Sequence, residues 1–527
     1  MGKVVLMPKL GMTMETGRIN KWLVKEGDQI SKGDPLLEVE TDKVALEVES
    51  LVEGTVLKIF GQGGETLPIN QPIAYVGTPG ETIPAELTSS GSPATETPAE
   101  EQLKQGENLI NNGGLDFDTD LVVIGGGPGG YVAAIRAAQL GAKVILVEKD
   151  NLGGTCLNLG CIPTKALLRN AEIWACIQES EKMGISVKGA SFDWGKMIER
   201  KDEIVRKLGG GIHTLLKKNN VEFLNGVAEA VDGNTVSVKL TDGDTKVITT
   251  KYIILATGTV PMQLDVDSAP DIRINDTNSI FGLKKLPKSI AIIGGGVVGA
   301  EFASIFNAFG VKVTIIELLP AILSNMDEDV SALITREFTK KGISLLAGVK
   351  VTGVQKSHNL YKVLFEDGNE IEAEEVLMAV GRKVEEGSFG QLSVKRDQRG
   401  FIETNDRMQT SVENIFAIGD ITGRMQLAHV ASAQGITAAE NIFSKGGPME
   451  YDVIPNCIFT FPEVAAVGLT EKQAKEKEVP YEAVKFPFFI NGKSLTLGNT
   501  EGFIKIITDS RWGEILGVHI IGPEASS

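Results

Sequence analysis

The sequence predicts an α/β chain in which one strand–helix–strand unit occurs twice, preceded by a small all-β module and a linker. The first observation is an internal repeat, because residues 121–150 align without gaps with residues 290–319 at an offset of 169. The second is a series of short apolar runs separated by Gly-containing turns before residue 78, which is typical of β-strands. The third is the stretch 78–115, whose composition differs from that of both neighbours.

Composition and charge exclude several classes of protein. The 527 residues include 52 Lys and Arg against 69 Asp and Glu, and the net charge of −17 argues against non-specific nucleic-acid binding. No apolar run reaches the ~18 residues that span a bilayer, so we expect no membrane association. Four cysteines are too few for a secreted disulfide scaffold. We therefore expect the chain in the cytoplasm.

The N-terminal module, residues 1–77, is predicted to be all-β and large enough to fold alone. Its two most strongly alternating strands flank Glu40-Thr41-Asp42-Lys43-Val44, and a turn there would place Lys43 in solvent at a hairpin tip. The linker, residues 78–115, is rich in Pro and Glu and has no aromatic residue, so it cannot bury enough apolar surface to fold. It is either a passive tether or one that lets the module travel over an average span of ~35 Å.

Each copy of the repeat carries the fingerprint of a Rossmann-like dinucleotide-binding domain. A GxGxxG turn follows an apolar strand and opens an Ala-rich helical stretch, and an acid follows 23 residues after the first Gly. The glycines permit the tight turn, the approach of backbone to a pyrophosphate and close helix–strand packing, while the acid accepts hydrogen bonds from a ribose. The residues are Gly125, Gly127, Gly130 and Glu148 in the first copy, and Gly294, Gly296, Gly299 and Glu317 in the second.

The second site is predicted to prefer NAD over NADP. Binding of NADP requires an Arg near the ribose 2′-phosphate, and the residues that follow Glu317, Leu318-Leu319-Pro320-Ala321, contain none.

A pair of cysteines follows the first fingerprint, in Cys156-Leu-Asn-Leu-Gly-Cys161-Ile-Pro163-Thr-Lys165. The spacing differs from that of zinc ribbons. Residues five apart in an ideal helix have Cα atoms ~8.6 Å apart, whereas a disulfide needs less than ~7 Å. A bond would therefore require distorted backbone, for which Pro163 offers a local reason, and an accessible disulfide of this kind tends to be catalytic. The alternative is two buried, unpaired thiols.

The isolated Cys176 and Cys457 are interpreted as core residues.

Two further apolar strands end in turns of small or acidic residues. One ends at Ala256-Thr257-Gly258 and the other at Ala417-Ile418-Gly419-Asp420. An acid at the carboxyl end of a parallel strand is well placed to bind a polyol hydroxyl, although each stretch alone could be a plain strand–turn.

Together these motifs resemble the dihydrolipoyl dehydrogenases of the flavin disulfide reductase family, preceded by a lipoyl domain. The reductase resemblance rests on both fingerprints, the Cys156-x4-Cys161-Ile-Pro-Thr-Lys165 run, the Ala-Thr-Gly turn and the Gly419-Asp420 end. The lipoyl resemblance rests on Met7-Pro8-Lys9-Leu10-Gly11 and Glu40-Thr41-Asp42-Lys43.

The resemblance implies a division into domains. Residues 116–265 and 398–455 would form an FAD domain, with an NAD domain at 266–397 inserted between its two parts. Residues 456–527 would begin an α+β interface domain of a homodimer.

The resemblance also implies roles for individual residues. Cys156 would exchange with the dithiol, Cys161 would lie against the flavin, and Lys165 and Glu301 would form a charge pair near the flavin nitrogen that hydride reaches. Further FAD contacts would come from Gly154, Thr155, Thr257, Gly258, Gly419, Asp420, Ala428 and His429, a further NAD contact from Gly381, and lipoylation would occur on Lys43. For His429 the alternative is a core histidine.

Two departures from the family pattern are visible. The family's catalytic base is a His paired with a Glu late in the interface domain, whereas the sequence ends at Ser527 inside that domain and His519, on an expected strand, does not match the base. This indicates a fragment, a trimmed chain or an impaired enzyme. The stretch Gly381-Arg382-Lys383-Val384 lacks the usual Pro-Asn, to which we attach no loss of function.

The resemblance implies oxidation of protein-bound dihydrolipoamide with FAD and NAD⁺. The chain would serve a 2-oxo acid or acetoin dehydrogenase complex and meet its acyltransferase and lipoyl domains. Two alternatives are a sibling reductase acting on glutathione disulfide or mercuric ion, and a non-enzymatic lipoyl carrier fused to a flavoprotein scaffold.

Overall fold

The structure is a computed structural model that describes residues 3–8, 16–40, 45–50, 52–68, 71–78, 81, 117–264, 272–387 and 389–526. The chain divides into two compact units, Met1–Gly114 and Leu115–Ser527, and each is described by itself. None of the helices in these described ranges is both long and apolar enough to cross a bilayer.

The described residues of the first unit form eight short strands in two four-stranded sheets, as the alternating pattern predicts. Val39, Val56 and Ile73 are fully buried between the sheets, and the Trp22 indole donates to the Gly61 carbonyl at 2.8 Å. The sheets have the orders β1-β8-β6-β3 and β5-β4-β2-β7. The strands are β1 (Lys3–Leu6), β2 (Thr16–Trp22), β3 (Gln29–Ile30), β4 (Pro35–Glu40), β5 (Ala45–Glu49), β6 (Gly54–Ile59), β7 (Thr66–Pro68) and β8 (Pro72–Gly77). Strands β4 and β5 pair antiparallel, while Lys43 lies outside the described residues.

The second unit begins with the first strand–helix–strand copy. Strands β9, β10, β11 and β13 pair in parallel in the order β11-β10-β9-β13, and β12 closes one edge antiparallel to both β11 and β13. The elements are β9 (Thr119–Ile124), α1 (Pro128–Gln139), β10 (Val144–Glu148), α2 (Gly154–Leu159), α3 (Cys161–Glu179), α4 (Trp194–Lys218), β11 (Glu222–Ala230), β12 (Thr235–Leu240), β13 (Thr245–Leu255) and β14 (Val260–Pro261).

The second copy builds a separate parallel sheet of order β17-β16-β15-β21, against which the antiparallel sheet β18-β19-β20 packs. The elements are β15 (Ser289–Ile293), α5 (Val297–Ala308), β16 (Lys312–Glu317), α6 (Glu328–Lys340), β17 (Ser344–Ala347), β18 (Val351–Ser357), β19 (Leu360–Phe365), β20 (Glu370–Ala373), β21 (Glu375–Met378) and β22 (Arg382–Lys383). Strand β22 pairs with β14, which joins the two regions by a short antiparallel ribbon.

The chain then returns to the first sheet. Strand β23 (Ile415–Ala417) pairs in parallel with β13, and α7 (Ala428–Phe443) packs on α1. The first parallel sheet is therefore completed by a segment that follows the whole second sheet in the sequence.

The last part is an antiparallel five-stranded sheet of order β24-β25-β28-β27-β26. A buried Lys505 on β27 joins it to the start of α6, because its ammonium contacts Asp327, Asp329 and Glu471 at 2.8, 2.7 and 2.6 Å. The elements are β24 (Asn456–Ile458), β25 (Glu463–Gly468), α8 (Glu471–Glu476), β26 (Tyr481–Pro487), α9 (Gly492–Leu497), β27 (Phe503–Asp509) and β28 (Ile515–Gly522). His519 lies on β28 and is 1 % exposed.

The interpretation of Cys176 and Cys457 as core residues is wrong. Helix α3 buries one face, which includes Leu167, Leu168 and Ala171, and Cys176 lies on its solvent side and is exposed. Cys457 on β24 is only partly buried because its strand borders a large cavity.

Candidate active site

One cavity of about 2460 Å³ in the second unit brings the predicted motifs together. Both Gly-rich turns, both acids and both cysteines of the pair line it. The predicted residues that line it are Gly125, Gly127, Glu148, Gly154, Thr155, Cys156, Cys161, Lys165, Thr257, Gly258, Gly294, Gly296, Glu301, Glu317, Gly381, Gly419, Asp420, Ala428 and His429. The two remaining predicted glycines, Gly130 and Gly299, lie in the helices that follow the turns. Each packs against the carbonyl oxygen of the first glycine of its turn, Gly125 or Gly294.

The two Gly-rich turns have matching geometry. Gly125 and Gly294 both have φ +107°. A Cβ on either would overlap the carbonyl oxygen of the residue that follows a neighbouring strand, Ala256 after β13 or Ala379 after β21. A Cβ on Gly130 would overlap the Gly125 carbonyl oxygen, which explains the need for glycine where helix meets strand. The N-termini of α1 and α5 therefore border the cavity. The backbone N–H groups in the first turn of a helix have no acceptor within the helix and suit phosphate.

Glu148 and Glu317 are fixed by backbone hydrogen bonds. Glu148 accepts the N–H groups of Gly126 at 2.6 Å and Asp150 at 2.8 Å. Glu317 accepts the N–H of Gly295 at 2.6 Å in the same way. A carboxylate offers about four acceptor positions, so each acid keeps capacity for ribose hydroxyls.

Cys156 and Cys161 form a disulfide with Cα atoms 4.7 Å apart, so the alternative of two unpaired thiols is wrong. The helix is interrupted between them, because α2 ends at Leu159 and α3 starts at Cys161, with Gly160 at φ −144° and ψ −107°. The break lies at Gly160 and not at Pro163, which sits in the first turn of α3, where proline is tolerated. The Asn158 amide supports the break by donating to the carbonyls of three preceding residues, 151, 152 and 154.

Lys165 and Glu301 meet at Phe459 and not in a direct ion pair. The Lys165 Nζ lies 3.9 Å from the centroid of the Phe459 ring, and Glu301 Oε1 accepts the Phe459 N–H at 3.0 Å. Burial lowers the pKa of the Lys165 ammonium and raises the pKa of the Glu301 carboxyl, and the charge of each partner opposes the shift of the other. The two charges of the predicted pair therefore act on each other through space, and Phe459 contacts both side chains.

Asp420 lies where the predicted strand ends. Burial raises the pKa of its carboxyl, while the Arg382 guanidinium and a hydrogen bond from Thr259 lower it. The preceding Gly419 N–H donates to the buried Gln434 side chain at 2.6 Å, which fixes the turn.

His429 lies in the first turn of α7, beside Ala428, and borders the cavity. Its side chain is exposed, so the alternative of a core histidine is wrong.

Comparison with known proteins follows the same division. Residues 119–435 match the family described as pyridine nucleotide-disulphide oxidoreductase, residues 454–527 its dimerisation domain, and residues 3–76 the biotin/lipoyl family described as biotin-requiring enzyme. The chain belongs to the pyridine nucleotide-disulphide oxidoreductases.

Relatives in this family include a dihydrolipoyl dehydrogenase of Chlamydia pneumoniae, 43 % identical over 411 residues, which are 77 % of this chain and 88 % of the relative. Another, from Geobacillus stearothermophilus, is 42 % identical over 420 residues, 79 % of this chain and 89 % of the relative.

Solved structures share the fold over most of the chain. The HOCl-induced flavoprotein disulfide reductase RclA from Escherichia coli, as its Cu(II) complex, is 26 % identical with a TM-score of 0.71, covering 78 % of this chain and 91 % of that chain. LpdA from Mycobacterium tuberculosis is 24 % identical with a TM-score of 0.73, covering 77 % of this chain and 91 % of that chain.

Sequence reasoning missed three residues of this oxidoreductase site, Phe459, Thr259 and Arg382. Phe459 lies in an apolar run that contains no recognisable site motif, and Thr259 lies one residue beyond the Ala-Thr-Gly turn. In the sequence, Arg382 stands out only as part of a departure from the family pattern. Its position is the better signal of a site residue, because it follows a Gly shortly after the end of the buried strand β21.

Proposed function

We propose that the chain is a dihydrolipoyl dehydrogenase that oxidises protein-bound dihydrolipoamide and reduces NAD⁺. The observation that carries the proposal is the placement of the Cys156–Cys161 disulfide in the same cavity as two dinucleotide-binding turns. A disulfide alone could be structural, and a dinucleotide site alone serves many reactions. Their union in one cavity is what a reaction between a dithiol and a nicotinamide requires.

The residues present fit FAD at the first turn and NAD at the second. Each turn offers backbone N–H groups and a helix N-terminus for a pyrophosphate, and each has its own acid for a ribose. Asp420 and the N-terminus of α7, which begins at Ala428, would hold the remainder of the flavin cofactor. When bound, FAD and NAD supply the two-electron chemistry that reoxidises the cysteine pair.

The cysteine pair takes two electrons from the substrate dithiol by thiol–disulfide exchange. A substrate thiolate attacks Cys156 Sγ, the disulfide bond breaks, and Cys161 Sγ leaves as a thiolate. The second substrate sulfur then attacks the mixed disulfide, which releases lipoamide and leaves Cys156 and Cys161 reduced. The two electrons end on NAD⁺ as a hydride, and the second proton goes to solvent.

Lys165 is placed to favour the thiolate form of Cys161. The two residues are one turn apart on α3 and therefore share a helix face. A nearby ammonium lowers the pKa of a thiol and stabilises its thiolate. We assign no residue up to Ser526 as the base that deprotonates the incoming thiol, since His519 is 1 % exposed and its Nε2 contacts the Leu469 carbonyl at 2.9 Å.

The assembly around this site follows the domain order. We assign residues 116–265 and 398–455 to the FAD domain, 266–397 to the NAD domain and 456–527 to the interface of a homodimer, as the two sheets and the return of β23 support. Lys43 would carry the lipoyl group, and the acyltransferase of a 2-oxo acid dehydrogenase complex in the cytoplasm would be the partner. The match of residues 3–76 to the biotin/lipoyl family supports the lipoyl assignment.

A comparison of substrates tests the proposed reaction. We expect turnover of dihydrolipoamide with NAD⁺ by the holoenzyme to exceed turnover of glutathione disulfide with NADPH by more than about tenfold, since Glu317 disfavours a 2′-phosphate. Faster turnover of glutathione disulfide would favour the sibling reductase. A flavin-loaded protein with neither activity, also after residues are added beyond Ser527, would favour the lipoyl carrier.

A further inference from the structure

Arg382 is a largely buried cation in the cavity wall whose partners come from distant parts of the chain. Its Nε donates to Thr259 Oγ1 at 2.8 Å, and its Nη2 donates to the Thr259 carbonyl and to Thr155 Oγ1, the latter at 3.4 Å. Its side chain is 19 % exposed. Since neutral oxygens accept these bonds, the hydrogen bonds alone do not balance the charge.

The balancing charge is Asp420. Arg382 Nε lies 3.9 Å from Asp420 Oδ2, and Thr259 Oγ1 bridges them because it accepts from Arg382 and donates to Asp420 Oδ2 at 3.1 Å. Among the described residues, Arg382 and Thr259 are the groups that favour the ionised form of Asp420, and Asp276 is a second acid that acts on Arg382.

The bridge also joins segments from distant parts of the cavity wall. Arg382 directly follows Gly381, which lines the predicted NAD end of the cavity, and it begins β22, which pairs with β14 directly after Thr259. Thr155, which accepts from the guanidinium Nη2, lies in the first turn of α2 next to Cys156. One side chain therefore contacts the disulfide-bearing helix, the end of the first sheet and the acid of the flavin site.

We propose that Arg382 is a positioning residue that keeps Asp420 ionised and aimed at the hydroxyl groups of bound FAD. The inference rests on the flavin site proposed above. A protonated Asp420 would lose the charge-assisted hydrogen bond to a flavin hydroxyl, and such bonds are stronger than neutral ones. Without Arg382, only the hydrogen bond from Thr259 would oppose the effect of burial on the Asp420 carboxyl.

The test is the rate of FAD release from the holoenzyme as a function of pH, followed by the fluorescence of freed flavin. As the pH falls through the pKa of Asp420, release should accelerate. Arg382→Met should move this transition to higher pH, because it removes the positive charge that lowers the Asp420 pKa against the effect of burial. In the pH range between the transitions of the two proteins we expect release from Arg382→Met to be up to about tenfold faster than from the unaltered protein. Arg382→Lys, which keeps a positive charge, should restore most of the original profile.

Asp420→Asn separates this role from general support of the fold. In the Asp420→Asn background the pH transition should vanish, and Arg382→Met should add little. The inference is overturned if Arg382→Met accelerates release by the same factor at every pH, or if its effect is undiminished in Asp420→Asn. Absence of FAD from the unaltered protein would instead overturn the proposed function.

Discussion

Individual glycines of the two Gly-rich turns have different tasks. A Cβ on Gly299 would overlap the Gly294 carbonyl oxygen, whereas a Cβ on Gly296 would meet nothing within 4 Å. Gly296 lines the cavity and Gly299 does not. We therefore propose that Gly299 serves packing and that Gly296 serves the ligand.

A pair of substitutions tests this separation. Gly299→Ala should destabilise the protein by more than about 2 kcal/mol, although alanine at this helical position would otherwise help by about 1 kcal/mol. Gly296→Ala should change the free energy of unfolding by less than about 0.5 kcal/mol and raise the KM for NAD⁺ roughly tenfold. Denaturant unfolding and steady-state kinetics measure both effects, and equal loss of stability in the two variants would refute the assignment.

At the scale of elements, the parts that the sequence predicts are those with local geometry. The internal repeat, the strands before each turn and the acid at the end of β10 and β16 all follow from spacing within about 30 residues, because backbone geometry dictates glycine and acid positions there. The prediction that Pro163 distorts the backbone between the two cysteines is wrong. Pro163 fits the first turn of α3, and the unusual backbone dihedrals belong to Gly160. The meeting of Lys165 with Phe459, or of Arg382 with Asp420, joins side chains from separate elements, and no local pattern contains it.

The contact between α6 and the last sheet is an element-scale feature that composition does not reveal. Lys505 is 2 % exposed and faces the fully buried Asp327, whereas Lys485, which also binds Asp329, is 49 % exposed. Lys505→Met should cost about 3–5 kcal/mol of stability, because a buried carboxylate loses its partner. Lys485→Met, the matched control, should cost at most about 1 kcal/mol. Similar losses in chemical denaturation would show that the buried cluster does not fasten the sheet.

At the scale of the whole molecule, the chain combines a biotin/lipoyl-type module with an oxidoreductase through a segment of distinct composition. The sequence predicts both, because each has its own periodicity and motifs. What it does not predict is that both dinucleotide turns and the disulfide share one cavity, since residues 125, 161 and 294 are brought together by tertiary contacts such as the packing of α3 on α5 and the β14–β22 ribbon.

The cysteine pair provides a matched comparison at this scale. Cys156→Ser should abolish dihydrolipoamide turnover yet leave flavin bound, because we assign FAD binding to the first Gly-rich turn and Asp420 and not to the disulfide. Cys176→Ser, on the exposed side of α3, should leave turnover unchanged. Flavin content and steady-state rates give the result, and colourless Cys156→Ser protein would mean that the disulfide holds the fold together and does no redox work.

The most direct test is anaerobic addition of dihydrolipoamide to the flavin-loaded protein without NAD⁺, followed by the visible absorbance of the flavin. If electrons pass from a dithiol through Cys156 and Cys161 to the flavin, the absorbance should change in the unaltered protein and in Cys176→Ser, and stay constant in Cys156→Ser. Added NAD⁺ should then restore the original spectrum. An equal absorbance change in Cys156→Ser would contradict the account, because it would show that electrons reach the flavin without the disulfide.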